Sequence, residues 1–283
     1  MKRYFLMFVL ILIPLALFSQ NITNNPKIHR VAQELERQGF SREEIAKVFT
    51  DSRLAVYPEI LRLKKGKTDY FSEQFGLFSD ASIEAGQLFL KKNHQKLSEA
   101  EKLFGVPGEV IVSVLRMESN FGDFLGRFPI LNCFYSLLVL EATPAPLRTF
   151  AHNELINLFL MTRRTKQDIF TISGSYMGAF GLCQFLPSSY LRYARDGNGD
   201  GIIDLFSVAD AIFSTANYLK DVGFSQSVYQ NLHALYHYNH DGDYTKAILI
   251  YAYSIISSAE KKISKGGLFP QASFCLTDNL LRI

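Results

Sequence analysis

The chain has 283 residues, 48% of them hydrophobic and 20% charged. That is enough apolar material for one large or two modest domains, and it excludes a disordered chain. A formal net charge of +3 is too small to argue for nucleic acid, and 24 Phe and 14 Tyr with no Trp suit either a large core or a sugar-binding cleft.

At the N-terminus, Lys2-Arg3 is followed by an apolar run over residues 5–18, broken by Pro14, and then by polar Ser19-Gln20. The run is short for a spanning helix. It reads as a secretory signal over residues 1–19, with an uncleaved anchor as the alternative because Leu17 and Phe18 make a poor cleavage site. No cysteine follows it for lipid attachment. Cys133, Cys183 and Cys275 lack metal-ligand spacing. They are expected as buried small hydrophobes, although an oxidising compartment would permit one disulfide.

Residues 28–46 predict short helices around Gly39, with Ser41 as an N-cap followed by acids. Residues 58–69 are basic and expected to be solvated. Asp80 is placed as the cap of a helix running through Ile83 and Leu88 to about Phe104. Gly105 ends that helix and Pro107 opens the next. Val110, Ile111, Val112, Val114, Leu115 and Met117 are apolar nearly all round, the pattern of a buried helix. Glu118 ends it, and Ser119, Asn120 and Gly122 read as a stop. Burial and a helix C-terminus both disfavour an ionised carboxyl there, which is what a general acid requires; the bland reading is a glutamate on a solvated edge. Further helices are expected over residues 133–140, 149–161, 208–222, 232–238 and 244–256, with 169–174 extended. The chain is therefore mainly α, with little strand signal and no repeat.

Three other stretches stand out. Residues 174–190 pack Gly174, Gly178 and Gly181 among small residues, with Ser175 and Gln184 as polar groups that need partners if buried. No lysine follows the glycines, so this is not a phosphate loop. Asp196-Gly197-Asn198-Gly199-Asp200-Gly201-Ile202 matches the start of an EF-hand, with oxygen ligands at positions 1, 3 and 5 and the Ile202 carbonyl at 7. Ser207 stands where the late bidentate glutamate belongs, and Asp210 lies one turn beyond. The alternative is a glycine-rich turn without metal. His233, His237 and His240 share helical spacing, but no acid lies between the first two as a hydrolytic base; core or surface histidines are the plainer reading. Tyr238-Asn239 closes the helix before Asp241-Gly242-Asp243.

Together, Glu118-Ser119-Asn120-Phe121-Gly122, the 174–190 stretch, the aspartate loop, Ala216-Asn217-Tyr218 and Tyr238-Asn239 resemble the lytic murein transglycosylase B family, over about residues 28–258. The resemblance implies a lysozyme-like, mainly helical catalytic core at 97–260 with an additional N-terminal helical region at 20–96 and an EF-hand-like loop, leaving 261–283 unassigned. It implies cleavage of the MurNAc–GlcNAc bond of peptidoglycan glycan strands without water, leaving 1,6-anhydro ends. The family's catalytic glutamate matches Glu118. Its substrate-binding residues match Ser175, Gln184, Tyr218, Tyr238 and Asn239, and its structural calcium site matches Asp196, Asn198, Asp200, Ile202 and Asp210. No organic cofactor and no nucleic acid are expected. Export to the periplasm and association with other cell-wall machinery fit the resemblance. Phe121 stands where an indole is common and Cys183 precedes Gln184, departures that bear on sugar stacking more than on chemistry. A hydrolytic muramidase of the same fold and a non-catalytic peptidoglycan-binding module are the alternatives.

Overall fold

The computed structural model describes residues 25–63 and 66–264, the side chains of 258–264 excepted. The proposed signal segment and residues 265–283, Cys275 among them, lie outside the described residues. The chain forms two units. Among the described residues the first comprises 25–63 together with 126–180 and 185–191; the second comprises 66–125, 181–184 and 192–264.

The first unit opens with α1 (Pro26–Arg37), whose cap Asn25 accepts a hydrogen bond from the Lys27 amide at 3.0 Å. Ile28, Val31, Ala32 and Leu35 are buried at helical spacing, so one stripe faces inward. Gly39 takes φ +80 between this helix and α2 (Arg42–Phe49). Ser41 and Glu44 make a reciprocal capping box: the Glu44 amide donates to Ser41 Oγ at 3.1 Å and the Ser41 amide to Glu44 Oε2 at 2.7 Å. A 3-10 turn (Pro58–Leu61) follows, and its Ile60 is buried against Leu137 and Ala151. That segment is therefore part of the core and not wholly solvated.

Two helices form the body of this unit: α6 (Ile130–Val139) and α7 (Ala145–Thr165). Phe159 on α7 meets Phe40 edge-on at 5.6 Å and stacks on Phe49 at 5.8 Å. On α6, buried Asn132 and Ser136 are satisfied by the chain they anchor, Asn132 by the Arg53 carbonyl and the Ala55 amide and Ser136 by the Tyr57 amide. The extended segment is shorter than expected. Only β2 (Ser173–Gly174) pairs with β1 (Phe128–Pro129), antiparallel, with Phe128 opposite Gly174. Gly178 sits at φ +83 where a Cβ would fall 2.0 Å from the Phe134 ring, so only glycine fits that turn. The helix α8 (Pro187–Tyr193) carries the chain out of this unit, and buried Glu154 accepts from the Ser188 amide in its first turn at 3.0 Å.

The second unit is organised around α5 (Gly108–Ser119), which packs against α3 (Asp80–Lys92), α4 (His94–Phe104), α9 (Val208–Asp221) and α11 (Gly242–Ser264). Val110, Ile111, Val112, Val114 and Leu115 are wholly buried. Each contributes about 1.5–3 kcal/mol by leaving water, so Leu115→Ala is expected to cost about 2–5 kcal/mol. Arg116 Nε donates to Ser82 Oγ at 3.0 Å and the Tyr251 hydroxyl to the Ser82 carbonyl at 2.6 Å, tying α5 and α11 to α3. The expected single helix over residues 80–104 is instead two. Its cap is Ser79, which accepts from the Ser82 amide, and the break falls at Asn93, whose side-chain amide donates to the Phe89 carbonyl at 2.9 Å. An asparagine that bonds its own preceding turn competes with helix propagation. Gly105, at φ +72, ends α4 as expected. The last short helix, α10 (Val228–Tyr238), runs into Asn239. Among the described residues no helix is long and apolar enough to cross a membrane.

Candidate active site

Glu118 lies on the last turn of α5, half-buried. The helix stops beyond it because Asn120 and Phe121 both adopt left-handed backbone, at φ 49 and φ 60. Two successive non-glycine residues in that region are strained. Ser119 holds the turn: its hydroxyl donates to the Leu182 carbonyl at 2.7 Å and accepts from the Gly122 amide at 3.1 Å. The Phe121 ring stacks on Phe89 at 4.5 Å with 16° between planes.

The carboxyl of Glu118 is met by a phenol. The Tyr244 hydroxyl donates to Glu118 Oε1 at 2.6 Å, the short distance of a bond to a charged acceptor. Tyr244 is fully buried in the first turn of α11. Asp241 caps that turn, its Oδ1 accepting from the Asp243 amide at 2.8 Å and the Tyr244 amide at 3.4 Å. Burial, with the Glu118 carboxylate beside it, holds the Tyr244 phenol well above the ordinary range, so it stays a donor. The sequence reading missed Tyr244. The usable signal was a tyrosine just after the Asp-Gly-Asp helix start, on the helix that packs against α5.

Of the residues matched to substrate binding, Gln184, Tyr218, Tyr238 and Asn239 lie in the same unit as Glu118. The Tyr238 hydroxyl donates to the Cys183 carbonyl at 2.7 Å, and its ring meets Tyr218 edge-on at 4.7 Å. The Tyr218 hydroxyl pairs with the His237 carbonyl at 3.0 Å and lies 2.9 Å from His237 Nδ1. Burial raises both phenols above the ordinary range, with the Glu118 charge adding to it. Gln184 takes φ +49 and its amide donates to the Gly181 carbonyl at 2.9 Å and the Leu125 carbonyl at 3.4 Å. Asn239 is the C-cap of α10. The segment 181–184 is thus pinned to the end of α5 through Leu182 and to α10 through Cys183. Ser175 belongs to the first unit. Its backbone amide donates to the Ala179 carbonyl at 2.7 Å and its hydroxyl accepts from the Ala179 amide at 3.1 Å, closing a tight turn. Cys133 and Cys183 are buried as expected, and burial pushes the Cys133 thiol up to about 12.

The aspartate loop turns its oxygens toward its own backbone. Asp196 accepts from the Gly199 amide at 2.6 Å and the Gly201 amide at 2.8 Å. Asn198 accepts from the Asp200 amide at 2.9 Å, and Asp200 from the Ile202 amide at 2.7 Å. Asp210, fully buried in the first turn of α9, accepts from the Gly197 amide at 2.8 Å and the Asp204 amide at 2.7 Å, closing the loop on that helix. The amides hold the Asp196 carboxyl below its ordinary range; burial holds that of Asp210 above it. Among the described residues no group of three or more His, Cys, Asp or Glu side chains is arranged to hold a metal ion; His233 and His237 lie on α10, but the helix ends before His240. The loop's donors are all hard oxygens, two of them from an amide and a carbonyl, and that chemistry fits calcium.

A half-buried carboxyl at a helix end, met by a buried phenol, thus stands on a wholly helical scaffold. Residues 23–228 match the transglycosylase SLT domain, and the chain belongs to that family. It is similar to the membrane-bound lytic murein transglycosylase B of Escherichia coli strain K12, at 28% identity over 218 residues, which are 72% of this chain and 59% of the relative. The chain thus spans about three fifths of the length of that curated relative. The fold is shared with the Escherichia coli lytic transglycosylase SLT35, solved in complex with calcium, at a TM-score of 0.73 and 23% identity, covering 83% of this chain and 94% of that one. It is shared also with SltB3 of Pseudomonas aeruginosa, solved with NAG-anhNAM-pentapeptide, at a TM-score of 0.70 and 19% identity over 84% and 79% of the two chains. The mainly helical, lysozyme-like fold expected from the sequence is the fold of these relatives.

Proposed function

We propose that the chain is a lytic transglycosylase of peptidoglycan, with Glu118 as its one proton-transfer residue. The observation that carries the reading is the bond from the buried Tyr244 phenol to Glu118 Oε1 at 2.6 Å. It aims one oxygen of a carboxyl that sits on a rigid helix end, which is what a group transferring a proton in a fixed direction needs. Two other carboxyls are engaged in holding turns: Asp123, near Glu118 in sequence, accepts from the Asn120 side chain at 2.6 Å, and Asp241 caps α11.

In this reading Glu118 gives its proton to the glycosidic oxygen between MurNAc and GlcNAc as the bond to C1 breaks. The N-acetyl group of the substrate stabilises the cationic centre. The Glu118 carboxylate then takes the proton of the C6 hydroxyl, whose oxygen bonds to C1, leaving a 1,6-anhydro end and a restored acid. Ordinary glycosidases use a second carboxyl for the nucleophile or its base; here the substrate's own hydroxyl replaces it. Tyr218, Tyr238, Asn239 and Gln184 bind the sugar. SltB3 bound to a saccharide-pentapeptide and the murein activity named for the Escherichia coli relative support the substrate class.

We assign calcium a structural role in this chain, supported by the hard-oxygen loop and by the calcium complex of SLT35. Asp196, Asn198, Asp200, Ile202 through its carbonyl, and Asp210 would hold it, and it supplies charge neutralisation to the loop. Residues 1–19 direct export to the periplasm, and N-terminal sequencing of exported protein is expected to begin near Gln20; a membrane-bound chain still starting at Met1 would make the segment an anchor.

Mass spectrometry of isolated cell-wall sacculi after digestion tests the enzyme reading. Anhydro-muropeptides are expected. Reducing ends would make the protein a muramidase, and binding without products a recognition module.

A further inference from the structure

The Glu118 cluster has a member that the site residues above do not include. Tyr70 precedes α3 in a loop shaped by Asp69, which accepts at Oδ1 from the Phe71 amide at 3.0 Å and at its carbonyl from the Ser72 hydroxyl at 2.8 Å. This turn sends neighbouring rings to opposite sides. Phe71 is 45% exposed and stacks on Phe78, whereas Tyr70 is 4% exposed. The Tyr70 ring is held edge-on by Phe75 at 5.4 Å and presents itself edge-on to Tyr244 at 5.9 Å. Tyr70 also lines a cavity of about 320 Å³ with Lys67, Thr68, Asp69, Phe71 and Asp243, across which Lys67 Nζ stands 3.5 Å from Asp243 Oδ2. One face of the loop therefore borders open space, and the inward ring of Tyr70 is what ties this face to the core. Burial, with the charges of Asp241 and Glu118 nearby, keeps the phenol protonated and able to donate.

We propose that Tyr70 is a positioning residue that acts through Tyr244: its ring, edge-on at 5.9 Å, holds the Tyr244 phenol against Glu118. The proposal rests on the reading of Glu118 as the acid.

Three variants separate the possibilities, each measured as kcat and KM per folded molecule on solubilised glycan strands, with melting temperature alongside. Tyr70→Phe keeps the ring, and kcat is expected to stay within about twofold of the wild type. Tyr70→Leu loses the edge contact to Tyr244, and kcat is expected to fall about tenfold while KM changes less than about twofold. The phenylalanine variant thus keeps the kcat that the leucine variant loses, with KM unmoved in both, a split that general loss of stability does not produce. Wild-type kcat in the leucine variant, with only a lower melting temperature, would overturn the proposal and leave Tyr70 as core filling. Glu118→Gln is measured in parallel. If it stays active, the acid assignment fails and takes this inference with it; if it is inactive while both Tyr70 variants match wild type, this inference alone fails.

Discussion

The second unit holds two carboxylate environments of opposite design. Glu118 has the last turn of a buried helix for a base and phenols for neighbours, with Tyr244 donating to one oxygen. Asp196 and Asp200 sit in an exposed loop where backbone amides supply the hydrogen bonds. Backbone amides do not ionise at ordinary pH, so they act only as donors, and they favour the ionised acid. Such a loop is committed to charge, and suits a cation. A carboxyl beside phenols, which stay protonated because they are buried, keeps a donor without losing the ability to take up and release its own proton. Position in the fold, more than residue type, decides which aspartate or glutamate does chemistry.

The sharpest way to break that contrast is Glu118→Gln. The amide keeps the shape but has no transferable proton, so kcat is expected to fall about a hundred- to ten-thousandfold, with the melting temperature held or raised. Activity within about tenfold of wild type, roughly 1.4 kcal/mol in the barrier, would contradict the assignment. Next comes Tyr244→Phe. It removes a hydrogen bond to a charged group, worth about 1.5–3 kcal/mol, so kcat is expected to drop about ten- to a hundredfold while the fold and the calcium response stay as they were. Steady-state kinetics and melting curves check both halves.

The amide-lined side is probed by metal. At roughly 100-fold excess over Kd, a ligand bound only by the folded state stabilises it by about 2.7 kcal/mol. Ser207 in place of the late glutamate weakens the site, so an affinity on the order of 10⁻⁴ to 10⁻³ M is expected. Millimolar calcium should raise the melting temperature over EDTA, with little change in turnover at low temperature, and Asp200→Ala should erase the rise. Identical melting curves for the wild type in both conditions would reduce the loop to a turn.

Glu154 is the intermediate case: buried, but with one amide, that of Ser188, on its carboxyl. Burial raises its folded pKa above the unfolded value. Its contribution to stability is therefore fully present below the ordinary carboxyl range and is lost as pH rises through the folded value. Glu154→Gln should gain on the wild type in melting temperature as pH rises from 4 to 8. A gap that does not change with pH would mean the carboxyl is better solvated than its burial implies.

Much of this was legible in advance for physical reasons. A helix apolar on every side must be buried, so α5 and the placement of Glu118 at its end could be read from Val110 to Met117 alone. The capping box at Ser41 and Glu44 is local chemistry, and so is the spacing of the aspartate loop. Tyr70 and Tyr244 were not legible, because their meaning depends on partners distant in the chain: Tyr244 meets Glu118 across 126 positions. In sequence each is one of 14 tyrosines, and a buried tyrosine in a helix looks like any other core residue. The break at Asn93 was missed for a different reason. The apolar pattern runs through it, and only the side-chain bond to the Phe89 carbonyl shows where the helix stops.

The central claim is that Glu118 serves first as acid and then as base with the substrate's own hydroxyl as nucleophile. Digestion of purified glycan strands in heavy-oxygen water, followed by mass spectrometry of the new ends, tests this directly. The account predicts anhydro ends that carry no label, formed by the wild type and absent with Glu118→Gln. Heavy oxygen at C1 of the new muramic end would show that water is the nucleophile, and would contradict it.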